Sequence, residues 1–358
     1  MRTPEHSIDS FKFVLDQIVG DLKGVFVGTH DVLAVLGAYY AARKMYGAVS
    51  TVAEAVYVHL LGRASNMDWV TNYGPWAVVT GSSEGIGRAY ANELALRGLN
   101  IVLMSRNERR LARAKAEIEM DCKVRVEYIV ADFASDNQTD LYKTIEAALA
   151  DKEVGLLVNN VGVMYDFPDV LLNISQQKLW QLIHVNIGAA TMMTHMLLSA
   201  MVDRGKGGVV VVSSGSSTQM TPQMTVYSAT KRYLDYFIHS LAYEYRNSGI
   251  TFQCLIPFYT ATRMTGYSER LSKGGWIVPD AARYASSAVE TLGRSQCTTG
   301  YFPHTLQLWI GQAVPNWLWM WGSEKLNNSL RQEALARLAR RASRYGSQEI
   351  LSDNSRTP

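Results

Sequence analysis

Cysteine is scarce and scattered. The 358-residue chain has three, Cys122, Cys254 and Cys297, and they form no CxxC pair. That excludes a disulfide framework and fits reducing surroundings. None of the seven histidines falls in an HExxH pattern. Spacing therefore offers neither a structural zinc nor a zinc hydrolase, and no metal is expected. Strong charge of one sign is also missing. Lys and Arg total 35 against 32 Asp and Glu. That balance lacks the basic stripe that a nucleic-acid partner needs. Nine prolines and 27 aperiodic glycines exclude collagen-like or low-complexity architecture. The first 23 residues mix both charge signs and lack the acid-poor look of a transit peptide. No run reaches the roughly 20 clean apolar residues of a bilayer span.

Apolar material is plentiful, at 47% of residues. It suffices for a large core, so wholesale disorder is excluded. Three regions differ in texture. Residues 1–74 hold two dense apolar stretches, 25–42 and 45–61. The first is interrupted by His30 and Asp31 and followed by Arg43 and Lys44. The second contains Glu54 and His59 and is followed by Arg63. Cations after apolar stretches point to helices at a membrane, spanning or lying in the interface; helices packed on the globular domain are the alternative. Residues 304–358 cluster Trp309, Trp317, Trp319 and Trp321, which suits a membrane interface or a greasy pocket lid. A helix expected from Glu324 to Arg344 then carries Lys325, Arg331, Arg337, Arg340, Arg341 and Arg344. It reads as a solvated face or as a basic helix against anionic headgroups. From Gln348 the polar tail is expected to fray.

Between them, residues 75–303 alternate short β-branched runs with helical segments. The runs are 76–80, 100–106, 124–133, 154–162, 208–214 and 249–257. Several are continuously apolar, as strands buried on both faces of a parallel sheet must be. The fold class expected is α/β, a doubly wound parallel sheet of the Rossmann kind.

The first run leads into T-G-S-S-E-G-I-G, residues 80–87, followed by a helical pattern. Gly81 suits a sharp turn. Gly85 and Gly87 allow close approach of a pyrophosphate to a helix N-terminus. The second run ends at Ser105-Arg106, where an NAD-selecting enzyme would carry an acidic residue. A hydroxyl and a guanidinium fork there match a 2′-phosphate, so NADP(H) is preferred. Tyr227 and Lys231 stand at i and i+4 and share a helix face. A cation beside a phenol favours the phenolate, which could exchange a proton with a substrate oxygen. Ser213-Ser214 closes one apolar run, Asn159-Asn160 another, and Asn186 follows in a helical stretch.

This ordered set resembles the short-chain dehydrogenase/reductase family over residues 75–303. It is similar, more finely, to the family's 17β-hydroxysteroid dehydrogenase and very-long-chain 3-oxoacyl-CoA reductase branch. The finer likeness rests on RGLNIVLMSRNE (97–108), NNVGV (159–163), SSGS (213–216), LIPFYTAT (255–262) and TTGY (298–301). The resemblance implies Tyr227 as proton donor and acceptor, with Lys231 lowering its pKa and binding the nicotinamide ribose. Ser214 would orient the carbonyl and Asn186 would hold a relay water. Gly81, Ser83, Gly85, Ile86 and Gly87 would form the cofactor turn. Asp132 would meet adenine, Asn159 would support the central strand and the cofactor, and Pro257 would flank the nicotinamide. The family's usual Pro-Gly is Pro257-Phe258 here, and NNAG is NNVG.

The implied activity is NADP(H)-dependent interconversion of a ketone and a secondary alcohol on a steroid or a long-chain 3-oxoacyl-CoA. Met264, Tyr267, Leu271, Trp276 and Ile277 are the expected apolar substrate wall. A homodimer and a membrane lipid are the expected partners, with the endoplasmic reticulum favoured and the mitochondrion as alternative. The resemblance also implies a second reading. Some hydroxysteroid dehydrogenase-like members lack the tyrosine and are inactive, so a silent cofactor-binding sensor or scaffold is the alternative. This chain retains Tyr227, Lys231, Ser214 and Asn186.

Overall fold

The structure, a computed structural model, describes residues 5–61 and 67–354. Arg63 and residues 355–358 of the expected tail lie outside the described residues. The chain divides into two units, Met1–Tyr57 and Val58–Pro358. The first is one helix, α1 (Glu5–Val56). The two apolar stretches are thus continuous rather than separate helices. No proline interrupts them, and a glycine costs only about 1 kcal/mol in a helix. Val32, Leu33, Val35, Leu36, Tyr39 and Tyr40 on α1 are exposed.

The second unit begins with α2 (Trp69–Tyr73), capped by Asp68, which accepts from Val70 and Thr71 N–H. Then β1 (Trp76–Thr80), α3 (Gly85–Leu96), β2 (Asn100–Ser105), α4 (Glu108–Asp121), β3 (Val126–Val130), α5 (Gln138–Leu149) and β4 (Val154–Asn159) follow. After β4 come α6 (Gln176–Ile183), α7 (Ala189–Arg204), β5 (Gly207–Val212), α8 (Thr225–Glu244) and β6 (Ile250–Leu255). The series closes with α9 (Glu269–Ser272), α10 (Ala281–Val289), β7 (Cys297–Thr298), α11 (Phe302–Ala313) and α12 (Asn316–Asn354). Side chains cap the helices where the sequence supplies them: Asn107 for α4, Asn137 for α5, Ser175 for α6 and Asp280 for α10.

The sheet order is β3-β2-β1-β4-β5-β6-β7, and every described pair is parallel. The order reverses between β1 and β4, and ligands bind outside the strand ends at such a switch point. Alternate strand residues feed two cores. Val79, Leu103 and Val158 pack with Tyr90 and Leu94 of α3 and Tyr284 of α10. Val78, Val102, Leu157 and Val211 pack with Met193 of α7 and Leu234 of α8. Burial on both faces accounts for the continuous apolar runs.

By length and composition, one stretch among the described residues could cross a membrane, 176–204, and half of its apolar window is buried. It covers α6, which packs against α8, and α7, which packs against β4 and β5. The C-terminal helix departs from expectation in two ways. It starts at Asn316 and runs on to Asn354, so residues 348–354 are helical rather than irregular. Its cations are also not all free for lipid. Arg331 Nε lies 3.1 Å from the Asp169 carboxylate, and Arg337 donates to the Gly266 carbonyl at 2.8 Å. The side chains of Arg341 and Arg344 lie outside the described residues.

Candidate active site

The turn after β1 is shaped by exclusion. Gly81 has φ +66°, and a Cβ there would sit 2.8 Å from the Val161 Cα. Gly85 has φ +63°. A Cβ on Gly87 would overlap Asn160 Nδ2 and the Gly81 carbonyl. Thr80 Oγ1 accepts from the N–H of Asn160 and of Val161, both at 3.0 Å, and joins the ends of β1 and β4. Ser83 and Ser105 hydroxyls meet at 3.0 Å. Arg106 beyond them is exposed on the same wall. The bare glycine backbone, the helix N-terminus and the exposed Arg106 guanidinium fit a dinucleotide with a 2′-phosphate.

Three of the residues singled out by the sequence line one wall of a cavity, and the fourth, Asn186, lies behind them. Tyr227 and Lys231 on α8 are 7% and 3% exposed. Lys231 Nζ donates to the Val212 carbonyl at 2.9 Å and stands 5.9 Å from the centre of the Tyr227 ring. The Ser214 Oγ accepts from the Ser216 N–H at 3.2 Å and from its hydroxyl at 3.0 Å, and it lies on the same cavity wall as the Tyr227 phenol. Asn186 lies in a wide five-residue turn of helix, His184–Gly188, between α6 and α7. Its Oδ1 accepts from Val163 N–H at 2.8 Å; its Nδ2 donates to the Val163 carbonyl at 3.0 Å and to Thr230 Oγ1 at 2.9 Å. The Asn186 side chain is therefore fully engaged within the protein and does not line the cavity. Ser213 bonds the Lys231 carbonyl at 2.7 Å and anchors α8.

These groups open on a cavity of about 1100 Å³. Gly81, Ser83, Gly85, Ile86, Ser105, Arg106, Asp132, Ser214, Tyr227, Lys231 and Pro257 all line it. Two expected cofactor residues do not. Gly87 packs under the turn, and Asn159 donates to Thr194 of α7 at 2.9 Å, pointing away. Of the expected substrate wall, Met264 and Tyr267 reach the cavity. Leu271, Trp276 and Ile277 do not line it, and the last two are largely exposed. The wall is completed instead by Met224, Phe258, Tyr259, Leu318, Trp319 and Leu326. The last three come from α12, far along the chain. Their tryptophan signal was visible, but only the fold assigns Trp319 to this site.

Electrostatics follow from burial. Desolvation pushes the Tyr227 phenol up to about 12, against the Ser214 hydrogen bond. It pushes Lys231 down to about 8. His304, unflagged by the sequence, is pushed down to about 4 by burial. Its ring sits 5.2 Å from that of Tyr301, 5.7 Å from Tyr284 and 5.9 Å from Phe258. Glu84 in the glycine turn was also unflagged. Its carboxylate meets Arg110 of α4 at 2.7 Å and Arg263 at 3.3 Å, clasping the cavity mouth.

Residues 75–271 match the short chain dehydrogenase family. The chain belongs to the short-chain dehydrogenase/reductase family. Within it, the chain is similar to "Inactive hydroxysteroid dehydrogenase-like protein 1" of Homo sapiens: 48% identical over 307 residues, covering 86% of this chain and 92% of that protein. It is 37% identical over 282 residues to "Very-long-chain 3-oxoacyl-CoA reductase-B" of Danio rerio, covering 78% and 88%. Among solved structures, a short-chain dehydrogenase from Sphingobium yanoikuyae in complex with NADPH superposes with TM-score 0.55 at 26% identity, covering 60% of this chain and 83% of that one.

Proposed function

We propose that the chain is an NADP(H)-dependent oxidoreductase that interconverts a ketone and a secondary alcohol on a lipid-like substrate, a steroid or a long-chain 3-oxoacyl-CoA. The observation that carries this reading is that Tyr227, Ser214 and Lys231 line one largely apolar cavity together with the glycine turn. The bound reduced nicotinamide supplies the hydride. The protein supplies the proton and the geometry. Tyr227, a phenol that is neutral at physiological pH and held so more firmly by burial, donates its proton to the carbonyl oxygen. Ser214 donates to the same oxygen as negative charge develops there. Lys231 keeps a positive charge near the phenol, which steadies the phenolate left after transfer. Asn186 acts by position: it ties the Val163 backbone to Thr230, fixing the loop after β4 against α8. Arg106 and Ser105 select the 2′-phosphate. Met224, Phe258, Met264, Leu318 and Trp319 shed water from an apolar substrate.

The exposed apolar residues of α1 support attachment to a membrane lipid surface, at the endoplasmic reticulum or, alternatively, the mitochondrion. A homodimer is the expected assembly. The name of the human relative favours a second reading, in which the chain binds cofactor as a sensor or scaffold without turnover. One experiment separates them. The full chain in mild detergent is mixed with NADPH and either ketosteroids or long-chain 3-oxoacyl-CoA esters, and absorbance is followed. Consumption that disappears in Tyr227→Phe supports the reductase. Flat traces from protein that binds NADPH support the silent reading.

A further inference from the structure

Two distant segments bring three donor atoms of different chemistry together outside the cavity. Asp235 and His239 lie one turn apart on α8, and Cys297 belongs to β7. A carboxylate oxygen, a ring nitrogen and the sulfur lie within 4.8 Å of one another. The arrangement follows from topology. Cys254 of β6 packs with Leu234 and Ile238, so it leaves the sheet on the α8 side. Cys297 is its register partner on the neighbouring parallel strand, so its side chain leaves on that side too.

The carboxylate is already divided between two uses. Arg232 holds one Asp235 oxygen at 2.5 Å, and the other lies 3.2 Å from His239 Nδ1. His239 Nδ1 also lies 2.7 Å from the Asp235 main-chain carbonyl, which fixes the ring plane. With Nδ1 donating to that carbonyl, Nε2 is the nitrogen left to bind a metal, the usual arrangement of a metal-binding histidine.

We propose that Asp235, His239 and Cys297 form a site for a thiophilic divalent cation of the zinc type. The donor set decides the class. Sulfur and imidazole suit zinc, whereas calcium and magnesium take oxygen. Zinc bonds of about 2.0–2.3 Å place tetrahedral donors roughly 3.3–3.7 Å apart. Closing from the present separation takes about 1 Å of side-chain movement, which exposed His239 and Cys297 can make. Arg232 offsets part of the negative charge of the carboxylate and thiolate. Bound metal would fasten the two-residue strand β7 to α8, one turn beyond Lys231. Sequence spacing could not reveal the site, because Cys297 reaches α8 only through the sheet.

The test uses the full chain in mild detergent, reduced and with three titratable thiols, and reads metal binding rather than turnover. Zinc ions alone are titrated by calorimetry. One equivalent per chain and a raised melting temperature are expected. Cobalt(II) alone should give a thiolate-to-metal absorption band that Cys297→Ser abolishes. His239→Ala, at an exposed position, should keep the metal-free melting temperature and weaken zinc binding about tenfold or more. Binding well below one equivalent overturns the proposal. So does a cobalt band that survives Cys297→Ser, or an unchanged zinc affinity in His239→Ala.

Discussion

His304 Nδ1 accepts a hydrogen bond from the Phe258 N–H at 3.3 Å. That bond holds the loop where the family's usual glycine is replaced, and it requires a neutral ring. Burial pushes His304 from 6.5 down to about 4. Above pH 6.5 both folded and unfolded forms are neutral, and the full stability is present. As pH falls from 6.5 towards 4 the unfolded chain takes up the proton and the folded one resists it. Stability should therefore drop by up to about 3 kcal/mol over that window. Urea unfolding at stepped pH checks this, and His304→Gln should flatten that part of the slope.

Tyr227→Phe removes the proton donor and leaves the ring. Turnover should fall by about 10²–10⁴-fold, while NADPH affinity by fluorescence stays within about threefold. Since the phenol is pushed up to about 12, alcohol oxidation, which needs the phenolate, should rise with pH well past neutrality. Ketone reduction should not need that rise. Parallel pH profiles would contradict this assignment of the proton.

Arg106→Ala should discriminate between cofactors. Losing a charge-assisted bond to a 2′-phosphate should weaken NADPH about tenfold or more and leave NADH nearly unchanged. Equal losses for both would remove Arg106 from that role.

Two glycine substitutions should differ in sign. Gly87→Ala drives a methyl into Asn160 and the Gly81 carbonyl, and should cost about 1–3 kcal/mol. Gly322→Ala on α12 meets nothing within 4 Å, and should be neutral or stabilising by up to about 1 kcal/mol. Denaturant melts of the two variants decide.

Glu333 on α12 accepts from the Ser268 hydroxyl at 3.0 Å and from the Glu269 N–H at 2.6 Å. Glu333→Ala should loosen α9 and the adjoining cavity wall. The expected result is a KM for the apolar substrate raised several-fold, with NADPH affinity unchanged.

Much of this was legible in the sequence because tertiary burial leaves a mark in residue type. Val209–Val212 is continuously apolar because both faces of β5 are covered, and TGSSEGIG keeps its glycines because Gly81 and Gly87 lie against Asn160 at the end of β4. β7 was not legible: two residues carry no period. Leu271, Trp276 and Ile277 were expected in the substrate wall by closeness in sequence, yet Trp319 and Leu326 arrive from another helix. Asn159 stood correctly at a strand end, but the parity of its position turns it towards Thr194. A one-residue offset along a strand reverses the face, and the sequence does not announce which face the cofactor takes.

The placement of α12 has a consequence for how the protein is made. Chains emerge from the ribosome N-terminus first. All seven strands are available once Thr298 has appeared, yet Leu318, Trp319 and Leu326 are still to come. Without α12 the described sheet would be complete and the cleft beside it open and greasy. The stretch that closes the cleft is made only after the last strand.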